Sequence, residues 1–181
     1  MSADDGADTG PAGFLLVAAP ALLDPNFSRA VVLIVSHDDQ GAFGLVLNRP
    51  LDKKLSDLLD VDDEVSRDVA VHLGGPVGTD KLQFIGGVEG CGHSLVPGVV
   101  VGAGLDELCG AGHLLRAFVG YAGWGAGQLE RETEEGSWIV APAAARHVFD
   151  VPADELWATV LRELGGEYAW MALEDGPGSE N

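Results

Sequence analysis

The sequence is poor in basic residues. Its 181 residues include ten lysines and arginines against 29 aspartates and glutamates, which gives a formal net charge of −19 at pH 7. The basic residues are scattered singly, apart from the pair Lys53 and Lys54. Binding to duplex DNA or to anionic lipid relies on clustered cations that neutralise phosphate groups. We therefore expect no direct binding to nucleic acid and no membrane association.

Cysteines and long apolar segments are also scarce. Cys91 and Cys109 are too few for a disulfide framework, so we expect both thiols to be reduced. The apolar segment at residues 14–19 is far too short to span a bilayer, and no basic residue precedes it as in a secretory leader. Together these absences predict a cytoplasmic protein.

The chain has the size of one domain. A hydrophobic content of 46% over 181 residues is enough for one sizeable core. Residues 1–12 and 174–181 are acidic and contain few large apolar side chains, so we expect them to be disordered tails. The folded domain is thus predicted to span residues 13–173.

Common catalytic and cofactor motifs are absent as well. The sequence has no Gly-x-Ser-x-Gly element and no phosphate-binding loop that ends in Gly-Lys-Ser or Gly-Lys-Thr. The adjacent residues Ser36, His37 and Asp38 cannot form a hydrolase triad, because successive side chains at a strand end point to opposite faces. We interpret His37 and Asp38 as hairpin-loop residues. The sequence therefore predicts no catalytic residue and no cofactor.

The most informative segment spans residues 23–50. Within it, residues 30–35 and 42–47 are short, apolar and rich in β-branched side chains, which is typical of buried strands. The polar and glycine residues between them suit a hairpin loop. The Asn-Arg dipeptide before Pro50 is expected to be extended, because proline disfavours helix in its predecessor.

Three motifs in this order resemble those of the bacterial AlgH/YqgE family. They are the 23–50 segment, Gly-Gly-Pro-Val at residues 74–77, and residues 120–132, where Gly-Tyr-Ala-Gly-Trp precedes Gly-Gln-Leu-Glu-x-Glu. The resemblance extends over residues 13–173. It implies a compact α+β domain with a mixed, mostly antiparallel and partly barrel-like β-sheet surrounded by helices. It implies no defined activity, although the family name refers to a genetic link with the control of alginate production.

The second half of the chain combines strands and helices. Residues 114–119, 128–134 and 138–140 predict a strand, a helix and a strand, a passage long enough for a right-handed parallel crossover. A later helix is predicted to be capped by Asp154 and to end at Gly165. Its apolar stripe is expected to close the core. The stripe consists of Leu156, Trp157, Val160, Leu161 and Leu164.

A glycine-rich loop is predicted at residues 120–127, before the helix at residues 128–134. Such a loop can cradle an anion at a helix N-terminus. Glu130 and Glu132 would repel a polyphosphate, however, and the glycine spacing fits no dinucleotide fingerprint. Two alternatives remain, a structural loop that allows close packing and a small-ligand pocket. The pocket would be lined by Tyr121, Trp124, Gln128 and Glu132.

Asn26, Arg29 and Arg49 extend the candidate ligand site. Asn26 belongs to an Asp-Pro-Asn sequence, a turn former whose side chains can bond to their own backbone. The two arginines are rare cations in an acidic protein. They either hold buried carboxylates such as Asp24 or Glu132, or bind an anionic ligand bidentately.

No metal site is expected. Cys91, His93, Cys109 and His113 supply ligand types that zinc prefers, but their order and spacing match no common zinc motif. The family resemblance implies no metal at these positions either. We interpret these residues as two unrelated thiols and two exposed histidines.

These features favour a binding protein over an enzyme. We expect a regulatory module that binds an unidentified small-molecule or protein partner and does not bind DNA itself. The alternative is an enzyme that acts in a cleft near Asn26, Arg49, Trp124 and Glu132.

Overall fold

The computed structural model describes residues 12–88, 90–108 and 114–174, so nearly all of both predicted tails lies outside the described residues. The strands are β1 (Phe14–Ala18), β2 (Val31–Asp38), β3 (Gly41–Val46), β4 (Pro50–Lys54), β5 (Ala70–Leu73), β6 (Val77–Gly86), β7 (His93–Val96), β8 (Val99–Val101), β9 (Leu115–Gly125) and β10 (Trp138–Pro142). The helices are α1 (Glu64–Arg67), α2 (Leu105–Leu108), α3 (Gln128–Glu134), α4 (Ala145–Phe149), α5 (Ala153–Leu164) and α6 (Gly166–Glu174), with a 3-10 turn at Leu55–Asp57.

The sheet of ten strands organises the domain. Its main path runs in the order β10-β1-β2-β3-β9-β6-β8-β7, and β4 and β5 join beside β9. The strands pair antiparallel, except for the parallel pair β5 and β9. The sheet curls into a half-barrel accompanied by six helices in the described part of the chain. This architecture confirms the predicted single α+β domain with a mixed, mostly antiparallel sheet.

The helices are short, and the longest of those described, α5, has 12 residues. None of the helices within the described ranges is both long enough and apolar enough to cross a membrane.

Strand β9 lies at the centre of the sheet because glycines let other backbone segments approach it closely. A Cβ added at Gly75 would lie 2.1 Å from the carbonyl carbon of Tyr121, and one at Gly41 would lie 2.2 Å from the carbonyl oxygen of Trp124. Only glycine tolerates such approaches. The prediction of a loop at residues 120–127 is therefore wrong for most of its length, since β9 continues to Gly125.

The predicted crossover from β9 through α3 to β10 does not join neighbouring strands. Both edges of β9 are occupied, by β6 on one side and by β3 and β5 on the other. Strand β10 instead pairs with β1, three strands away from β9. Four antiparallel pairings separate β9 from β10, so the two strands run in the same direction. They do not form hydrogen bonds with each other as a strand pair.

Two segments with a charged or glycine-rich composition typical of loops contain regular structure. Residues 60–68 include α1, which Asp63 caps by accepting a hydrogen bond from the Ser66 N–H at 3.0 Å. Residues 86–94 include the start of β7, which pairs with β8. A local cap in the first segment, and pairing with the next strand in the second, outweigh the turn-forming composition.

The β2–β3 hairpin has a tighter turn than expected. Both strands extend until only Asp39 and Gln40 connect them, and the Asp38 carboxylate accepts a hydrogen bond from the Gln40 N–H at 2.8 Å. His37 and Asp38 are therefore the last residues of β2 rather than loop residues. The two predicted strands themselves are confirmed.

Helix α5 closes the main core as predicted. Leu156, Trp157, Val160 and Leu161 are buried, and Leu164 packs against the same cluster. Gly165 ends the helix with a φ of +73°. The predicted cap by Asp154 is wrong, because the helix begins at Ala153 and Pro152 occupies the N-cap position without a side-chain bond.

Trp157→Ala is expected to lower the free energy of unfolding by about 3 to 5 kcal/mol, as a large core truncation. Trp157 is 5% exposed, and its Nε1 donates to the Ala18 carbonyl at 2.8 Å. Urea unfolding measures the change. Trp170→Ala, at a residue that is 69% exposed, is the matched control and should change stability by less than about 0.5 kcal/mol. Similar losses in both variants would show that α5 does not close the core.

Candidate functional site

The segment between β1 and β2 forms a hydrogen-bonded turn. The Asp24 carboxylate accepts a hydrogen bond from the Asn26 N–H at 2.8 Å. The Asp24 carbonyl accepts from the N–H groups of Phe27 and Ser28 at 2.9 and 2.7 Å. These bonds confirm the predicted turn, and they leave Asn26 exposed at its surface.

Arg29 follows this turn in a left-handed backbone conformation. Its φ of +56° is the only positive value at a non-glycine residue in the described ranges. The Asn48 side chain bridges its flanks, because Nδ2 donates to the Arg29 carbonyl at 2.8 Å and Oδ1 accepts from the Val31 N–H at 2.9 Å. Such a conformation costs about 1 to 3 kcal/mol at a non-glycine residue and is often found at functional sites.

Arg49, the residue before β4, supports the same turn. Its guanidinium donates to the carbonyl of Ser28 through Nη2 and to the carbonyl of Asn48 through Nη1, at 3.4 Å in the second case. Burial lowers the pKa of this guanidinium by desolvation, although an arginine side chain stays charged. Within the described ranges it forms no ion pair, so it does not hold Asp24 or Glu132.

Both arginines line a cavity of about 390 Å³ that we call the arginine cavity. Helices α5 and α6 form its other side, so it lies between these helices and the segments that precede β2 and β4. Its walls comprise Arg29, Asn48, Arg49, Ala153, Asp154, Glu155, Trp157, Ala158, Arg162 and Ala172. Three of the ten basic residues of the chain therefore line one space, together with two carboxylates on the first turn of α5.

The arginines of this cavity are held in different ways. The Arg29 guanidinium lies over the Trp157 ring, 5.2 Å from its centroid, in a cation–π contact. Arg49 is fixed by backbone carbonyls, as described above. Arg162 is exposed on α5 and forms no ion pair within the described part of the chain. The cavity thus presents two guanidinium groups, Arg49 and Arg162, that no described carboxylate neutralises directly.

Three of the other predicted site residues, Trp124, Gln128 and Glu132, form a hydrogen-bond cluster with Trp138. One Glu132 oxygen accepts from the indole N–H groups of Trp124 and Trp138 at 2.8 and 3.2 Å. The second oxygen accepts from the Gln128 amide at 3.1 Å. Phe27 covers the two indoles, with ring centroids 6.3 and 5.6 Å away. Glu132 therefore fixes α3 against β9 and β10.

Tyr121 lies apart from this cluster. Residues three positions apart on a strand point to opposite faces, so Tyr121 and Trp124 are on different sides of β9. Tyr121 packs on Phe43 instead, with ring centroids 4.7 Å apart. Of the seven predicted site residues, Arg29 and Arg49 share one cavity, while Trp124, Gln128 and Glu132 share a separate hydrogen-bond network.

The start of α3 is not arranged as an anion cradle. Gly127, at a φ of +74°, is its N-cap, and the Gly125 N–H donates to the Gln128 side-chain oxygen at 3.0 Å. The glycines around β9 allow close backbone packing, as the structural alternative predicted.

The cysteine and histidine residues show no metal-site geometry where they can be described. The Cys91 thiol is directed at the Glu107 carbonyl at 3.5 Å. Cys109 and His113 lie outside the described residues. Within those residues, no three His, Cys, Asp or Glu side chains come together as a metal site requires.

Sequence reasoning missed Asn48 and Arg162 as site residues and assigned Trp157 to the core alone. Asn48 is adjacent to Arg49 in a recognised motif, and this position was a usable indication. The sequence contains no indication of a site role for Arg162, because a single arginine on the polar face of a helix is normally a solvated surface residue.

Glu132→Ala is expected to lower the free energy of unfolding by at least about 2 kcal/mol, because two buried indole N–H groups lose their acceptor. Tryptophan fluorescence during urea unfolding measures both the stability and the change around the indoles. Glu134→Ala, at an exposed residue of the same helix, is the control. Equal unfolding midpoints for the two variants would contradict a structural role for Glu132.

Comparison with known proteins places these features in a family. Residues 15–169 match the family model described as AlgH-like. A UPF0301 protein of Chlorobaculum tepidum is 38% identical over 170 residues, covering 88% of this chain and 90% of the relative. A UPF0301 protein of Streptomyces coelicolor is 40% identical over 173 residues, with coverages of 88% and 90%.

Solved structures agree with this assignment. A crystal structure of a Corynebacterium diphtheriae protein has a TM-score of 0.76 at 27% identity and covers 95% of this chain and 99% of its own. The solution structure of the AlgH protein from Pseudomonas aeruginosa has a TM-score of 0.70 at 28% identity, with coverages of 98% and 99%. The turn at Asn26, the Asn48-Arg49 pair and the β9–α3 segment thus lie in a chain that belongs to the AlgH-like family.

Proposed function

We propose that this protein is a cytoplasmic regulatory module that binds a small anionic molecule in the arginine cavity. The observation that carries the proposal is the convergence of Arg29, Arg49 and Arg162 on one space in a chain of net charge −19. A cavity of about 390 Å³ has the size of a small-molecule site. Guanidinium groups recognise carboxylates and phosphates through paired hydrogen bonds.

The strained backbone of Arg29 supports this role. Asn48 maintains a conformation that an arginine does not favour, so part of the folding free energy is used to position this side chain. Arg49 is partly buried, and its bonds to carbonyls leave some of its five N–H donors for a ligand. A preorganised site of this kind loses little conformational entropy on binding.

The carboxylates of the cavity restrict the chemistry of the ligand. Asp154 and Glu155 line the helical side. Negative charge on a ligand would be repelled next to these carboxylates, whereas an amine or hydroxyl group could donate to their oxygens. We therefore propose a small molecule with a carboxylate or phosphate at one end and hydrogen-bond donors at the other. Contacts to α5 and to the segments that precede β2 and β4 would let the ligand alter how α5 packs on the sheet.

The enzyme alternative has less support. Of Asn26, Arg49, Trp124 and Glu132, only Arg49 lines the arginine cavity. Both Glu132 oxygens already accept hydrogen bonds from protein groups, so this carboxylate has little capacity left for acid–base chemistry. The geometry therefore favours ligand binding over catalysis in this region.

A thermal-shift screen with carboxylated and phosphorylated metabolites tests the proposal. A true ligand at 100 times its Kd stabilises the native state by about 2.7 kcal/mol and raises the melting temperature. Calorimetric titration of a hit should then show a loss of affinity of about tenfold or more in Arg162→Ala, since a bond between charged groups is removed.

Arg67→Ala is the matched control, because it removes the same charge from an exposed residue of α1 outside the cavity. Its affinity should equal that of the wild type. If both substitutions lowered the affinity for the ligand equally, the loss would be an effect of net charge, and this result would contradict a specific site. A screen without an anionic hit would contradict the proposal as a whole.

We also propose that the protein does not bind DNA by itself. With three lysines and seven arginines, the chain has too few cations for a phosphate-binding surface, and the first turn of α5 carries two acids. Fluorescence anisotropy with duplex promoter DNA at about 150 mM salt should show no submicromolar binding. Sequence-dependent binding in that range would contradict this prediction.

A further inference from the structure

The outer edge of the sheet carries a strand with one partner. Strand β10 ends the sheet order, and within the described ranges it pairs with β1 alone. The Ala19 N–H donates to the Ser137 carbonyl at 2.9 Å, so the hydrogen-bonded pairs that alternate along this ladder include Ile139 and Ala141. The N–H and C=O groups of Val140 therefore point away from β1, toward the open edge.

An apolar groove of about 410 Å³ lies beside this edge, between the sheet and α3. We call it the β10 groove. Its apolar walls are formed by Phe14, Leu16, Leu129 and Val140. The Val140 side chain is 51% exposed, which is unusual for a valine in a strand that covers a core. The groove therefore lies on one face of β10, next to the edge to which the backbone groups of Val140 point.

The rim of the β10 groove is acidic. Glu130 and Glu134 line it from α3 and His37 from β2, and among the described residues no lysine or arginine lines it. A backbone hydrogen bond at Glu130 and a side-chain hydrogen bond from His37, with a distance of 2.5 Å between His37 Nε2 and Glu130 Oε1, lower the pKa of Glu130. Both rim carboxylates are exposed. An occupant must therefore combine apolar contact with positive charge.

We infer that the β10 groove binds an extended segment of a partner protein with the pattern basic-x-apolar-x-basic. Such a segment would add a strand to β10 through the backbone groups of Val140. Because side chains on one face of a strand recur every second residue, its apolar side chain enters the groove while the two flanking basic side chains approach Glu130 and Glu134. The net charge of −19 would further favour a basic partner.

A second copy of this chain fits the site less well. Pairing of two β10 edges would bring two acidic α3 helices together, and each protomer carries a net charge of −19. Pro142 also removes one N–H donor from the edge. Charge complementarity thus selects a basic segment of another protein.

The probe for this site is the peptide Ac-Thr-Lys-Thr-Leu-Thr-Lys-Thr-NH2. Backbone amide spectra of the 15N-labelled protein should show saturable shifts confined to β10, α3 and the start of β1 at about 150 mM salt. Three control peptides carry serine for leucine, glutamate for lysine, or the leucine moved by one position. Each should bind at least about tenfold more weakly, because each removes one element of the pattern.

Protein variants distinguish the contribution of the β10 edge to peptide binding from that of the acidic rim. Val140→Pro removes the outward N–H, and Glu134→Lys reverses one rim charge; each should weaken the probe peptide at least about tenfold. Glu64→Lys makes the same charge change at an exposed residue of α1 and should leave affinity unchanged. Val140→Ser retains the edge backbone and provides a second test if Val140→Pro does not fold.

Several results would overturn the inference. These are no binding of the probe peptide, equal binding of the control peptides, shifts centred outside the β10 groove, and equal weakening by Glu64→Lys and Glu134→Lys. A dimer in light scattering that Val140→Pro abolishes would assign the edge to a second copy instead.

Discussion

The side-chain amide of Asn48 is the interaction on which the arginine cavity depends. The Asn48 amide bonds to the Arg29 carbonyl and the Val31 N–H, so side-chain hydrogen bonds take the place of backbone strand pairing where β2 begins. Arg29 consequently leaves the β-conformation and extends over Trp157, on the helical side of the sheet. Together with the bond from the Arg49 guanidinium to the Ser28 carbonyl, this bridge fixes the turn that begins at Asp24 to the Asn48-Arg49 segment.

The same bridge links two packing regions of the domain. Phe27, in the turn, covers the indoles of Trp124 and Trp138, whose N–H groups bind Glu132. Two residues later, Arg29 contacts Trp157 of α5. The turn therefore contacts side chains that pack on both faces of the sheet. Binding at the arginine cavity would act on a segment that both layers already hold in place.

Local patterns predicted the elements that are determined locally. Strands β2 and β3 follow from short β-branched segments around turn residues, and α3 and the stripe of α5 follow from helical spacing. The extension of β9 through a glycine-rich segment was not predictable, because it depends on close approach by Gly41 and Gly75 from elsewhere in the chain. The position of β10 depends on which edges of β9 are already occupied.

The candidate site was predictable to the same extent. Arg29 and Arg49 stood out as rare cations in recognised motifs, and the structure places both in one cavity. The contribution of Arg162 depends on how α5 packs against the sheet, and a helical pattern contains no information about that packing. The prediction of one pocket for Tyr121 and Trp124 depends on the prediction of a loop for their segment. As parts of a strand, they point to opposite faces.

Anomalous diffraction from crystals soaked in sodium selenate tests the central claim most directly. Selenate is a compact dianion that resembles the anionic end of the proposed ligand. We expect a selenium peak inside the arginine cavity, within hydrogen-bond distance of the Arg49 and Arg162 guanidinium groups. An empty arginine cavity, with selenate bound only at other surfaces of the protein, would contradict it.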